Sequence, residues 1–436
     1  MNAAAQSLVA GAGEMAPAPE FVAAARRAGR EAFERDGLPT TRQEDWRFTS
    51  LAPLAAHAFG HGDPSAPVSA AGLERAAGKP FGPRLVFVNG RFRADLSNAH
   101  GLSAGIHAAS LQHAIAVTPG RVEPLLARTV TVQGRPFAAL NAAFLGDGAF
   151  VHLAGEAKGG AVELVFVTVA TEGPAASHPR VLVVADPGSE ATLVETYVAL
   201  GDHPALTNAV TEISLGSGAR IDHYQVQDQP GSAFHFATLA VEQGKDARLS
   251  THSTALGAAL SRSDVLTRLA GEGAEAHLSG LYMTDGQRLV DNHSVIEHAV
   301  PHGTSRELFK GILDGASRGV FAGRIRVLEG AVKTDAHQSN SNLILSRDAV
   351  VDSMPQLEIY TDDVKAGHGG TVGELDRDAL FYLRSRGLPQ VTARGLLIYA
   401  FAREMVDRVA LPALRDRLGR LVAARLPGGD AILEAA

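Results

Sequence analysis

The chain has 436 residues, 45% of them hydrophobic and 20% charged, with a formal net charge of −7. That is enough apolar mass for a buried core, and too little positive charge for a general affinity to nucleic-acid phosphate. There is no cysteine, which excludes disulfides and thiolate ligands, so any metal held by this chain must use His, Asp or Glu.

The first residues, MNAAAQSLVAGAGEMAPAPE, show no basic leader before an apolar block, and residues 1–18 are expected to lack fixed structure. From Pro19 the pattern turns helical. Phe21, Val22, Ala25, Ala28, Ala32 and Phe33 share one side and Arg26, Arg27, Arg30, Glu31 and Glu34 the other, with Gly37 and Pro39 as the stop. A helical region over 19–80 is expected.

From about Arg84 the texture is β: RLVFVNGRF, AVELVFVTVATEG, RVLVVADPGSEATLVETYVAL, AVTEISLGSGARIDHYQVQ, FHFATLAVEQGKDARLSTHSTAL and EAHLSGLYMTDGQRLVDNHSVIEHA. Each run of Val, Ile, Leu, Thr and Tyr ends in a turn cluster such as DPGSE, GSGA or TDGQ. AVELVFVTVA is the longest apolar stretch and falls well short of the ~18 residues of a membrane span. A soluble, cytoplasmic protein is expected. A sandwich of this length would be large, whereas a solenoid grows by stacking coils, so a β-helix over 81–370 is favoured over two stacked sandwiches. No strict repeat length can be counted.

After Gly370 the texture is helical to the end, over 371–436. Asp376 is placed to cap a helix with Leu380, Phe381 and Leu383, Gly387 and Pro389 punctuate, and Ala393, Leu396, Leu397, Ala400, Phe401, Val406 and Val409 form a second apolar stripe. Pro412 opens a third helical piece.

No phosphate loop, G-x-S-x-G elbow or H-E-x-x-H helix is present, so ATP hydrolysis and the corresponding hydrolase chemistries are not expected of this chain. The 17 histidines concentrate towards the C-terminal half, at His277, His293, His298, His302, His337 and His368. His298 and His302 have helical ligand spacing, but Pro301 and Gly303 argue for a turn. In TDDVKAGHGGTVG, Asp362, Asp363 and His368 could ligate Fe²⁺ or a similar ion. The other reading has both carboxylates tying off turn amides and His368 bridging the β body and the tail. Gln338, Asn340, Ser341 and Asn342 fit an Asn-rich turn or a stack between coils, and Arg324 and Arg326 a solvated face. The tail carries Arg403, Arg408, Arg415, Arg417, Arg420 and Arg425 against Glu404, Asp407 and Asp416, a surplus suited to a partner with an acidic groove.

The run NLILSRDAVVDSMPQLEIYTDDVKAGHGGTVGELDRDALFYLRSRGL (342–388) resembles the SufB/SufD family of the SUF iron–sulfur cluster assembly scaffold, on its SufD side. RQEDWRFTSL (42–51), LNAAFLGDGAFVHL (140–153), RVLVVADPGSEATLVETY (180–197) and ELFKGILDGASRGVFAGRIRV (307–327) support it. The resemblance implies a right-handed parallel β-helix between helical terminal regions and a non-catalytic scaffold role. It implies pairing with SufB, binding of the SufC ATPase through the C-terminal helices, and a transient cluster or iron at the subunit interface, with none expected in the isolated chain. His368 falls at the histidine proposed as a ligand in the family, while Ala366 stands where the usual C-S-H-G-A-T has cysteine. Phe381, Leu396, Leu397 and Phe401 are expected to pack the tail, with Arg403 and Arg408 beside them against the partner. Two other readings are a metal-dependent β-helix enzyme such as a polysaccharide lyase, disfavoured by 6% aromatic content and one Trp, and a homodimer paired through β-helix edges.

Overall fold

The computed structural model describes residues 3–10, 12, 15–429, 432 and 433. Its body is a parallel β-solenoid in which the backbone alternates between two facing sheets. The first sheet stacks Val350–Ser353, Arg318–Val327, Leu289–His298, Leu260–Leu269, Phe234–Gln243, Ala205–Leu215, Arg180–Ala185 and Gly148–Leu153, closed by the antiparallel strand Ile106–Ser110. The second stacks Lys365–Gly373, Asp335–Ile344, Thr304–Leu313, Glu275–Thr284, Arg248–Ala255, Arg220–Gln227, Glu190–Leu200, Lys158–Val169 and Arg84–Val88.

Strand alternation puts every second side chain inside. Leu249, Ala276, Leu278 and Phe309 from the second sheet meet Ile213, Val241, Val265, Ile296 and Ile325 from the first. The step between coils is not constant. Phe234 pairs with Leu260, 26 residues on, and Arg318 with Val350, 32 residues on. Strand pairing is kept while the turns absorb the difference, which is why no fixed period shows in the sequence.

The continuous β body expected from Arg84 is interrupted by helices Leu111–Val117 and Pro136–Ala143. Every residue of Pro136–Ala143 is buried. A helix that is apolar all round has no amphipathic stripe to betray it. It packs against Glu20–Asp36, and the two cross at Gly29, where a Cβ would lie 2.6 Å from the Ala139 oxygen and 2.7 Å from the Ala143 nitrogen. Gly29→Ala should therefore lower stability by about 1–2 kcal/mol, because overpacking against backbone (~1–3 kcal/mol) outweighs the ~1 kcal/mol helix-propensity gain. A denaturation midpoint at or above that of the wild type would show that the helices part freely.

The segment RQEDWRFTSL is a clamp on the first sheet. Trp46 packs against the stacked rings of Phe137 and Phe236, and the Arg262 guanidinium lies 3.9 Å over its ring. Arg262 also bonds Asp291 at 2.7 Å, and the Thr49 hydroxyl donates to the same carboxylate at 2.6 Å. Part of the N-terminus expected to lack structure is ordered: Ala3–Val9 is a short helix, and Ala5, Leu8 and Val9 join the cluster holding Phe33 and Trp46. Small residues suffice there because Leu8 and Val9 meet an apolar surface already built by the later chain.

The C-terminal helices do not stand apart from the solenoid. Gln390–Val406 and Pro412–Ala423 bury Ile398, Met405, Leu414 and Leu418 against Tyr224, Leu256, Leu281 and Ile312 on the outer face of the second sheet. Among the described residues no helix is long and apolar enough to cross a membrane.

Candidate functional site

The last coil of the second sheet carries the segment that holds Asp362, Asp363 and His368. Strand Lys365–Gly373 pairs in parallel with Asp335–Ile344, placing Gln338 opposite His368. It is the terminal strand of its sheet, and its residues from His368 onward are exposed. The turn before it is stacked on the preceding one. Asp363 and Lys333 both take left-handed backbone (φ 58° and 60°), the Lys333 amide donates to the Asp363 carbonyl at 2.8 Å, and their side chains pair at 2.6 Å.

Asp363 is thus spent on the turn, Asp362 is exposed beside it, and His368 stands on the strand beyond. The three do not converge, and among the described residues no three His, Asp or Glu side chains gather as a metal site. Neither carboxylate ties off a turn amide as the second reading had it: the Asp363 side chain pairs with Lys333, Asp362 is exposed, and His368 is an exposed imidazole on an open strand.

His298 and His302 are likewise separate. His298 is interior, bonded to the Ser305 hydroxyl at 2.9 Å and pushed down to about 4 by burial, whereas His302 sits on a turn with φ 63°. Asn340 and Asn342 lie on one strand and do not stack on each other between coils: both are buried, the Asn342 amide donates to Asn340 Oδ1 at 2.7 Å, and the Asn340 amide donates to the Phe309 carbonyl of the neighbouring coil at 3.3 Å. Arg324 and Arg326 are a half-buried ionic ladder with Glu358, not a free solvated face.

In the tail, Asp376 caps helix Arg377–Ser385 by accepting from the amides of Asp378 and Ala379 at 2.8 and 3.2 Å. Leu396 and Phe401 pack against the solenoid as expected, and Leu397 is half-buried. Phe381 does not pack: it is 71% exposed, next to Tyr382 at 57% and near Val391 at 56%. Leu380 and Leu383 of the same predicted stripe are half-buried, so it is Phe381 that faces solvent. Arg403 pairs with Asp407 at 3.5 Å. Arg408 overhangs an open groove of about 720 Å³ above the second sheet, which also carries His277, Arg306 and His337.

In the sequence Glu307 reads only as one of the acidic neighbours of the C-terminal histidines, and its interior place was missed. Register carries Leu278, Glu307, Gln338 and His368 in one inward column, each the partner of the next. Glu307 is buried, and burial pushes its carboxyl up to about 7, against the pull of the Ser294 hydroxyl, close by but outside hydrogen-bonding geometry, and of the Gln338 amide. The only signal was its place on a strand two positions before Phe309, and parity cannot be read without register.

Two family models cover the chain: the SufBD protein N-terminal region over residues 15–160, and the SUF system FeS cluster assembly SufBD core domain over 166–401. A SufBD-family iron–sulfur cluster assembly protein of Synechocystis is 36% identical over 403 residues, 89% of this chain and 87% of its own. The iron–sulfur cluster assembly protein SufD of Escherichia coli is 33% identical over 411 residues, 91% of each chain. SufD of Bacillus subtilis is 27% identical over 292 residues, 66% of each.

Proposed function

This chain belongs to the SufBD family of the SUF iron–sulfur cluster assembly system, and from that premise we propose that it is a scaffold subunit with no catalysis of its own. It pairs with a SufB sister through the open end of the solenoid, holds iron or a nascent cluster at His368 on that junction, and is gripped by the SufC ATPase at its helical tail.

The observation that carries this reading is the terminal strand Lys365–Gly373. Its free edge, with Gly367, Gly369, Gly370 and Gly373 along it, lets a second backbone approach, and exposed Ile359, Tyr360 and Val372 lie around it. Such an edge is a template for strand addition. A ligand bound by His368 on that edge lies between two chains. With alanine at 366, this chain supplies no thiolate, so any sulfur ligand from protein comes from the partner. Phe381, Tyr382 and Val391 are exposed apolar side chains on a tail whose other helices rest on the second sheet. A load applied there by a partner that changes shape with nucleotide passes into the sheet that ends at His368. The groove over this sheet carries Glu307 as its one carboxylate beside His277, Arg306, His337 and Arg408, and no Phe, Tyr or Trp lines it, which favours the scaffold over a lyase.

Anaerobic co-expression with SufB and SufC tests the reading. His368→Ala should leave the complex assembled and reduce bound iron and cluster absorbance by roughly tenfold or more, since even the outer-shell partners of a metal are worth about 10–100-fold in affinity. Loss of the complex itself would make His368 structural, and recovery of this chain only as a homodimer would assign the edge to a second copy. Phe381→Asp, at a solvent-facing position, should leave folding within about 0.5 kcal/mol of wild type and weaken SufC binding by about 30-fold, the scale of an aromatic anchor. Unchanged SufC recruitment would place the grip elsewhere.

A further inference from the structure

The inward face of the second sheet changes character near its open end. Where Leu278 continues the apolar interior, its register partner on the next coil is Glu307, followed by Gln338 and then His368 at the mouth. Glu307 and Gln338 are each 3% exposed. No charged neighbour acts on Glu307, and its one hydrogen bond in good geometry comes from Gln338 Nε2 at 2.6 Å. Three oxygens are left buried and without a hydrogen bond in good geometry: Glu307 Oε1, Gln338 Oε1 and Ser294 Oγ. Ser294 and Gly323 are register partners on the facing sheet, and Gly323 leaves open the space that Gln338 uses; a Cβ there would lie 1.7 Å from its Nε2.

A buried carboxylate without a counter-charge is costly, and so is each unpaired acceptor. A proton on Glu307 relieves the charge, but neither it nor the Ser294 hydroxyl, which is out of hydrogen-bonding geometry, leaves both Glu307 Oε1 and Gln338 Oε1 satisfied. A cation relieves both at once, and a carboxylate, an amide carbonyl and a hydroxyl are the hard oxygen donors that divalent ions accept. A cysteine-free, oxygen-lined position disfavours soft ions.

We propose that Glu307, with the Gln338 carbonyl and the Ser294 hydroxyl, is an interior divalent-cation site reached from the open end past His368. The site rests on the reading of that end as the place where iron is handled, and gives the ion a position inside this chain, separate from any cluster on the junction. One coil, that of Gln338, lies between Glu307 and His368 in the column, so the outer imidazole and the inner carboxylate form two stations along it.

The test uses the full, metal-free chain alone. Mn²⁺ is titrated while the six-line electron paramagnetic resonance signal of the free ion is followed. Wild type should take up one equivalent more tightly than the scattered surface carboxylates, and Glu307→Gln should weaken that equivalent at least tenfold, as should Gln338→Met. Mn²⁺ should raise the melting temperature of wild type and not of Glu307→Gln, while circular dichroism confirms that both are folded. Uptake by Glu307→Gln equal to that of wild type, or no tight equivalent in wild type, overturns the site and shows Glu307 to be a protonated core acid. Neither result touches pairing with SufB or the effect of His368→Ala on the assembled complex, so this inference fails independently of the scaffold reading.

Discussion

Replacement of Arg180 by methionine is expected to destabilise the protein by about 3–5 kcal/mol, the scale of a buried ion pair left with one member. Arg180 and Glu212 are both 0% exposed and meet at 2.6 Å through Nη2, with Nε at 3.1 Å from the same oxygen. Arg180 Nη1 also donates to Asn141 at 3.0 Å, and Asn141 in turn donates to the carbonyls of Pro179 and Asn208. Glu212 accepts from the amides of Ala127, Arg128 and Thr129 at 2.8, 3.0 and 3.0 Å. One ion pair thus ties the loop after residue 122 and the buried helix Pro136–Ala143 to adjacent coils of the first sheet. With methionine at 180 the carboxylate keeps three amides and loses its only counter-charge, in a place water does not reach. Urea or guanidinium denaturation reads the loss. Adding Glu212→Gln to the variant should recover part of it, because the neutral amide still offers an acceptor and no longer buries a charge. A loss below about 1 kcal/mol would put the pair in the range of solvent-screened surface bridges and contradict its burial.

Glu307 controls the second large effect, which has the opposite sign. Its carboxyl has an ordinary value of 4.5 and is pushed up by burial to about 7 in the fold. Between those values the folded chain holds a proton that the unfolded chain has released, so stability is highest on the acid side of the window and falls as pH rises through it. The difference amounts to roughly 3 kcal/mol by pH 8. Glu307→Gln keeps the shape and removes the titration. In chelator, the wild type should lose stability from pH 5 to 8 relative to the variant, and at pH 8 the variant should be the more stable of the two by up to that amount. Denaturation midpoints at unchanged slope, collected across the range, check this. Parallel pH profiles for the two proteins would mean that solvent reaches the carboxylate. Asp291 runs the other way: the nearby His293 and Arg262 charges hold it down to about 2 against the cost of burial, so its contribution is complete above pH 3.8 and is lost only as pH falls through 2.

The strands were legible because Val, Ile, Leu and Thr alternate between turn clusters, and the tail because Asp376, Gly387, Pro389 and Pro412 are local capping signals that act within a few residues. The motif around His368 was legible as a family resemblance, and the turn chemistry of Asp363 as a turn. Other features were not local. Pro136–Ala143 is buried on every side and so carries no periodicity. Phe381 belongs to a stripe that reads as core-facing, and only the packed tail shows that nothing covers it. Glu307 looks like any strand carboxylate until register sets it inward.

The sequence by itself determined where strands, turns and caps fall, that no thiolate is available, and which family the chain joins, since these depend on residue types over short stretches. Only the tertiary structure decided which strand residues face inward, that Arg180 meets Glu212 across 32 residues, and that Glu307, Gln338 and His368 line one column. The reason is geometric: neighbouring coils are separated by turns of uneven length, and a shift of a single residue in any of them exchanges inside for outside.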